Sequence, residues 1–171
     1  MKRHLGLALT LYCLSSLAYA ADNLRFSGAL VAEPCVIPPG QETIALDFGS
    51  VVDKYLYTHQ RTPGMPFEIN LAECDLSLGK TVTLTLRGQE SLALPGLLAP
   101  ENRNRGIAIG LETPAGDALA INHPSGQFRL SAGRTAIELR AYVQAEPAMI
   151  ADKKLERGAF NAIATFNLEY Q

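Results

Sequence analysis

Cys13, Cys35 and Cys74 offer thiols, and His59 and His123 offer imidazoles, so metal binding, thiol chemistry and acid–base catalysis are the first chemistries to consider. Spacing argues against all three. Structural zinc sites draw four Cys or His ligands from short paired spacings. Cys35 and Cys74 are 74 − 35 = 39 residues apart, and neither histidine is placed to join them. No CxxC redox motif is present, no Ser/His/Asp arrangement is suggested by spacing, and no glycine-rich phosphate loop follows a strand. His123 sits in Asn122-His123-Pro124, a turn signal, and His59 lies in the polar stretch Tyr57-Thr58-His59-Gln60-Arg61. Both read as solvated loop residues, as does the polar and basic run Glu101-Asn102-Arg103-Asn104-Arg105. No catalytic residue, metal or cofactor is expected, and the chain is not read as an enzyme.

The first 20 residues read as an address. Lys2 and Arg3 give a positive start, residues 5–17 are largely apolar, and Ala18-Tyr19-Ala20 supplies the small residues of a signal-peptidase site. A membrane span takes about 20 apolar residues, and this run is shorter. Ala21 is therefore the expected mature N-terminus, leaving 171 − 20 = 151 residues, one ordinary domain. Losing Lys2 and Arg3 leaves 13 basic against 17 acidic side chains, a formal charge of −4. Nucleic acid is not the expected partner of such a chain, and no later segment is long enough to embed it in a membrane.

Cys13 leaves with the signal. In an exported chain, the isolated pair Cys35 and Cys74 reads as one disulfide.

The mature chain reads as strands throughout. Apolar residues alternate at Leu24, Phe26, Gly28 and Leu30, at Phe67, Ile69 and Leu71, and at Val82, Leu84 and Leu86. They do so again at Ile107, Ile109 and Leu111, at Ile137, Leu139, Ala141 and Val143, and from Phe160 to Tyr170. Period two puts each set on one face of an extended segment. Pro38-Pro39-Gly40, Pro63-Gly64, Pro95-Gly96, Pro114-Ala115-Gly116-Asp117, Pro124-Ser125-Gly126 and Ala132-Gly133 read as the turns between them. Many short strands punctuated this way predict an all-β antiparallel sandwich. Residues 145–155 have room for one helical turn, limited by Pro147.

Chain ends are usually polar and poorly ordered. Here both carry apolar alternation, at residues 21–32 and at residues 158–171. At these ends the sequence resembles the pilins of the bacterial chaperone–usher pathway. Tyr170 is the penultimate residue and Gly158 stands fourteenth from the end, with Phe160, Ala162, Ala164, Phe166 and Leu168 alternating between them. Leu24-Arg25-Phe26-Ser27-Gly28-Ala29-Leu30 resembles the family's donor strand, including its glycine between larger apolar residues. Cys35 and Cys74 fall where the family places its disulfide.

The resemblance implies an incomplete immunoglobulin-like sandwich that lacks its last strand, residues 33–171, preceded by a donor-strand extension, residues 21–32. Such a domain exposes an apolar groove beside unpaired backbone groups, and an added strand satisfies both. The implied partners are a periplasmic pilus chaperone, an outer-membrane usher and neighbouring pilin subunits. Leu24, Phe26 and Leu30 would fill a neighbour's groove, with Gly28 where that groove is shallow. The segment from Gly158 to Gln171 would line this chain's own groove, and the chaperone would hold the Gln171 carboxylate. The implied course is export to the periplasm and assembly into a cell-surface fimbrium.

One domain is too short for a tip adhesin with a separate receptor-binding domain. The run from Val82 to Gly88 and the Ala93-Leu94-Pro95-Gly96 stretch resemble a minor tip or adaptor subunit of the P-pilus kind. Rod and terminating subunits share the end motifs, and a terminator would lack an open pocket at the mouth of the groove. The rival from another class is a self-sufficient secreted sandwich that binds a glycan or small ligand. That rival predicts a domain that folds alone and needs residues 21–32 for its own fold.

Overall fold

The computed structural model describes residues 27–28, 30–101 and 105–171. The expected signal peptide, and Leu24 and Phe26 of the expected donor segment, lie outside the described residues. Residues up to Val31 form one unit and Ala32–Gln171 another. In the first unit, Gly28 and Leu30 are exposed and belong to no strand.

The second unit is all-β, with two three-stranded antiparallel sheets facing each other. Strands β1 (Met65–Cys74), β5 (Gly133–Ala145) and β3 (Ile107–Glu112) form one, with β5 in the middle. Strands β4 (Pro124–Arg129), β2 (Thr81–Gly88) and β6 (Ala164–Tyr170) form the other, with β2 in the middle. Alternation decides which side chains meet between the sheets. Ile69 and Leu71 from β1, Val82 and Leu84 from β2, and Ile137, Leu139 and Val143 from β5 are all buried. This is the immunoglobulin-like sandwich architecture.

Two short helices interrupt the strands. α1 (Asp53–His59) places His59 in a last helical turn rather than in a loop. There its Nδ1 lies 3.2 Å from the Tyr55 carbonyl and its ring stacks on Tyr55 at 4.1 Å between centroids. α2 (Pro147–Ala151) is the expected single turn. Pro147 starts it, because a first-turn proline loses no helical hydrogen bond and already has the right φ.

Two turn assignments and one loop reading need correction. Pro124-Ser125-Gly126 opens β4, since an edge strand tolerates proline as its first residue; the chain reverses just before it, at residues 121–123. Gly64 is not a turn residue: a Cβ there would lie 2.9 Å from Glu112 Oε1 and 3.1 Å from Arg140 Cβ. Arg105 is half-buried rather than free in solvent, and residues 102–104 lie outside the described residues.

Cys35 and Cys74 form the expected disulfide, with Cα atoms 4.1 Å apart. Ile69 and Leu71 face inward, so strict alternation would turn residue 73 inward and residue 74 out. A bulge at Glu73, whose φ is +53°, shifts the phase by one and buries Cys74.

Outside the core, Glu112 is buried on β3 and takes two hydrogen bonds from Arg61, at 2.9 and 3.1 Å. The Arg61 guanidinium also lies 3.9 Å from the centre of the Tyr142 ring. Gly110, directly across from Tyr142, leaves the space that this ring fills. This knot fixes the chain between α1 and β1 against the sheet.

Candidate strand-acceptor groove

β6 pairs with β2 along one edge, from Gly88↔Ala164 to Val82↔Tyr170. Its other edge has no strand partner among the described residues. Phe160, Ala162, Ala164, Phe166, Leu168 and Tyr170 are each only half-buried, although all pack on the core. The residues between them are exposed. The expected alternation therefore holds over the whole segment, while regular pairing begins only at Ala164.

A second wall faces this edge. After Cys35, the chain makes one antiparallel bridge between Val36 and Ala72, turns at Pro38–Gly40 and then runs extended. Ile44, Leu46 and Phe48 are half-buried on the same core, and no backbone hydrogen bond joins residues 42–48 to any described residue. The two walls meet at both ends. At one end the Tyr170 hydroxyl donates to the Cys35 carbonyl at 3.4 Å; at the other the Phe48 and Phe160 rings lie 6.1 Å apart. Between these closures lies a groove with an apolar floor and unpaired backbone on both sides. Ile44, Leu46 and Phe48 carry the same period-two signal as β6, so the second wall was readable in the sequence although it was not singled out there.

The far end of β6 is held by its own domain. The Gln171 backbone oxygen accepts from the Lys80 and Thr81 amides at 2.8 and 3.0 Å, and the Gln171 side chain accepts from Gln127 at 2.6 Å. Burial, and secondarily the Glu33 charge, raises the Tyr170 hydroxyl above its ordinary value near 10. The fold thus favours the protonated phenol. Its contribution is fully present below pH 10 and is lost as the pH rises through the raised value. Tyr170→Phe should accordingly flatten the loss of stability that sets in above about pH 10 in urea titrations; an unchanged slope would sink the assignment.

At the Phe160 end, the groove opens into a cleft of about 250 Å³ with Val51, Leu56, Ile107, Leu155 and Phe160 among its lining. Gly158 lies beside it with a φ of +135°, and a Cβ there would sit 2.6–2.9 Å from the Arg105 guanidinium. Only glycine combines that backbone with that contact.

A paired-sheet immunoglobulin-like domain with a free edge strand, an apolar groove and one disulfide has the architecture of a pilin domain. The family model described as fimbrial protein matches residues 24–171. The chain is 31% identical over 170 residues to PmfF of Proteus mirabilis (strain HI4320), a candidate minor fimbrial subunit, covering 94% of this chain and 93% of that one. It is 31% identical over 178 residues to the fimbrial adapter PapK of Escherichia coli, covering 100% of both. It superposes on a subunit of a solved chaperone–usher pilus with a TM-score of 0.72 and 26% identity, covering 86% of this chain and 94% of that one. The chain belongs to the fimbrial protein family. It is a pilin, a structural component of a cell-surface fimbrium and not an enzyme. No helix among the described residues is long and apolar enough to cross a membrane.

Proposed function

We propose that this pilin enters its fibre by donor-strand exchange, as a minor tip or adaptor subunit. The observation that carries the reading is the β6 edge: a free backbone edge beside half-buried Phe160, Ala162, Ala164, Phe166, Leu168 and Tyr170, facing a second unpaired wall. Residues 1–20 direct export. In the periplasm a chaperone fills the groove with a strand of its own and holds the Gln171 carboxylate. At an outer-membrane usher the extension of the next subunit replaces that strand. Residues 21–32 of this chain fill a neighbour's groove in turn, with Leu24, Phe26 and Leu30 in pockets and Gly28 at the shallow position. Each large apolar side chain so buried contributes about 1.5–3 kcal/mol, and each backbone hydrogen bond roughly 1 kcal/mol net. Two features support the adaptor position: the likeness to an adapter and a candidate minor subunit, and the open cleft at the end of the groove, which a terminating subunit would lack.

The test is periplasmic yield with and without a co-expressed pilus chaperone. Expected is a one-to-one complex that forms equally when residues 21–32 are deleted, with the chain degraded or aggregated when alone. The deletion variant should then stop fibre growth. A stable chaperone-free monomer that needs residues 21–32 to fold would sink the reading in favour of the self-sufficient sandwich. Labelling of intact fibres decides position: signal along the whole shaft would make this a rod subunit.

A further inference from the structure

An incoming strand must lie beside β6 at the strand-to-strand spacing of about 4.8 Å. At the Phe160 end, that lane passes between two pieces of chain. One is the end of the second wall with the start of α1, residues 51–56. The other is the turn that feeds β6, residues 155–160. Both line the terminal cleft.

These two pieces are tied together across the cleft. Asp53 Oδ2 accepts from Arg157 Nε at 2.9 Å and from Arg157 Nη2 at 2.7 Å. The turn is held behind this contact as well. The Leu155 amide donates to the Tyr57 hydroxyl at 3.1 Å, and Arg105 Nη1 donates to the Arg157 carbonyl. The backbone of Arg157 is thus fixed while its side chain reaches over the cleft. The Arg157 side chain is 83% exposed and that of Asp53 22% exposed, so water and salt reach the pair. Hydrogen bonding from Arg157 holds the Asp53 carboxyl below its ordinary value, so the pair stays charged at neutral pH.

We propose that Asp53 and Arg157 form a latch across the mouth of the terminal cleft, and that its opening sets how fast an incoming strand seats at the Phe160 end of the groove. The inference rests on the strand-acceptor reading above. A tight, buried clamp would block assembly, and no clamp would leave the cleft open to any apolar segment. A solvent-exposed ion pair closes the lane and still yields to a strand that gains the whole groove.

The experiment uses the mature chain purified with its chaperone, and as probe a fluorophore-labelled synthetic peptide of the residue 21–32 sequence. Incorporation of the peptide is followed over time. Asp53→Asn and Arg157→Gln should each speed incorporation roughly two- to fivefold, the range expected of an exposed pair. Raising NaCl from 0.1 to 1 M should speed the unaltered protein toward the same rate, since screening shortens from about 10 to 3 Å. The single variants should lose that salt response. The charge-swapped double variant, Asp53→Arg with Arg157→Asp, should restore both the slow rate and the salt response. Lys154→Gln, which breaks the Asp152–Lys154 pair outside the cleft lining, should change nothing. Equal or slower incorporation by the single variants would overturn the latch and leave the strand-acceptor reading standing. Failure of every protein to take up the peptide would overturn the strand-acceptor reading, and the latch with it.

Discussion

Replacing Cys35 and Cys74 together with alanine should lower the stability of the domain by about 4 kcal/mol, the chain-entropy value for its loop. The closed loop spans 39 residues. It contains most of one groove wall, all of α1 and all of β1, so its constraint on the unfolded chain is large. Native domains hold only about 5–15 kcal/mol in total, and one that lacks a strand belongs at the low end. The double variant should therefore fail to accumulate even when a pilus chaperone is co-expressed. Urea unfolding of the purified complex with and without dithiothreitol measures the same quantity without mutation. A second consequence is local. Cys35 carries the carbonyl that accepts from Tyr170, so losing the bridge also frees the end where the two walls meet. A midpoint that does not move on reduction would show that the hydrogen bonds of Pro34, Cys35 and Val36 to Asp75, Tyr170 and Ala72 hold this wall without the bridge.

Which parts of this molecule were readable in its sequence follows from where each part gets its stability. Phe67, Ile69 and Leu71, or Ile137, Leu139 and Val143, are buried on one face of a strand, so alternation reports them directly. The same holds for β6, whose half-burial keeps the pattern intact. The position of Cys74 was not readable, because a bulge at Glu73 with positive φ resets the phase, and no residue type there demands it. α1 was missed for a related reason. Its seven residues bury only Leu56, and its N-cap Val52 makes no side-chain cap, so the sequence carries neither periodicity nor a start signal. Tertiary contacts hold it instead: Leu56 in the core and the Tyr57 hydroxyl on the Leu155 amide. Pro124 misled because proline marks turns and edge-strand starts alike, and only the neighbouring strands decide which. The Asp53–Arg157 pair joins residues 104 apart in sequence, beyond the reach of any local pattern.

Phe166→Asp should abolish strand acceptance, while the same charge placed one residue away should not. Phe166 pairs with Leu86 in the middle of the β2–β6 ladder and turns its ring toward the groove, half-exposed. Losing the ring removes part of its packing on the core, and in the empty groove the carboxylate keeps part of its hydration. Once a strand covers it, the charge is buried beside Leu84 and Leu168 with no cation in register on β2. Burying such a group unpaired costs at least several kcal/mol, which corresponds to a loss of more than about 100-fold in strand binding. The chaperone and the next subunit use the same groove in the reading above, so both the periplasmic complex and incorporation into fibres should disappear together. Thr165→Asp supplies the control. It adds the same charge one residue away on the exposed face, opposite Arg87, and should leave both intact. Loss of both activities in the Thr165 variant would mean that added charge on β6 disrupts the domain generally. Retention of both in the Phe166 variant would mean that the incoming strand does not lie over this part of β6, and the groove would have to be filled from its other wall.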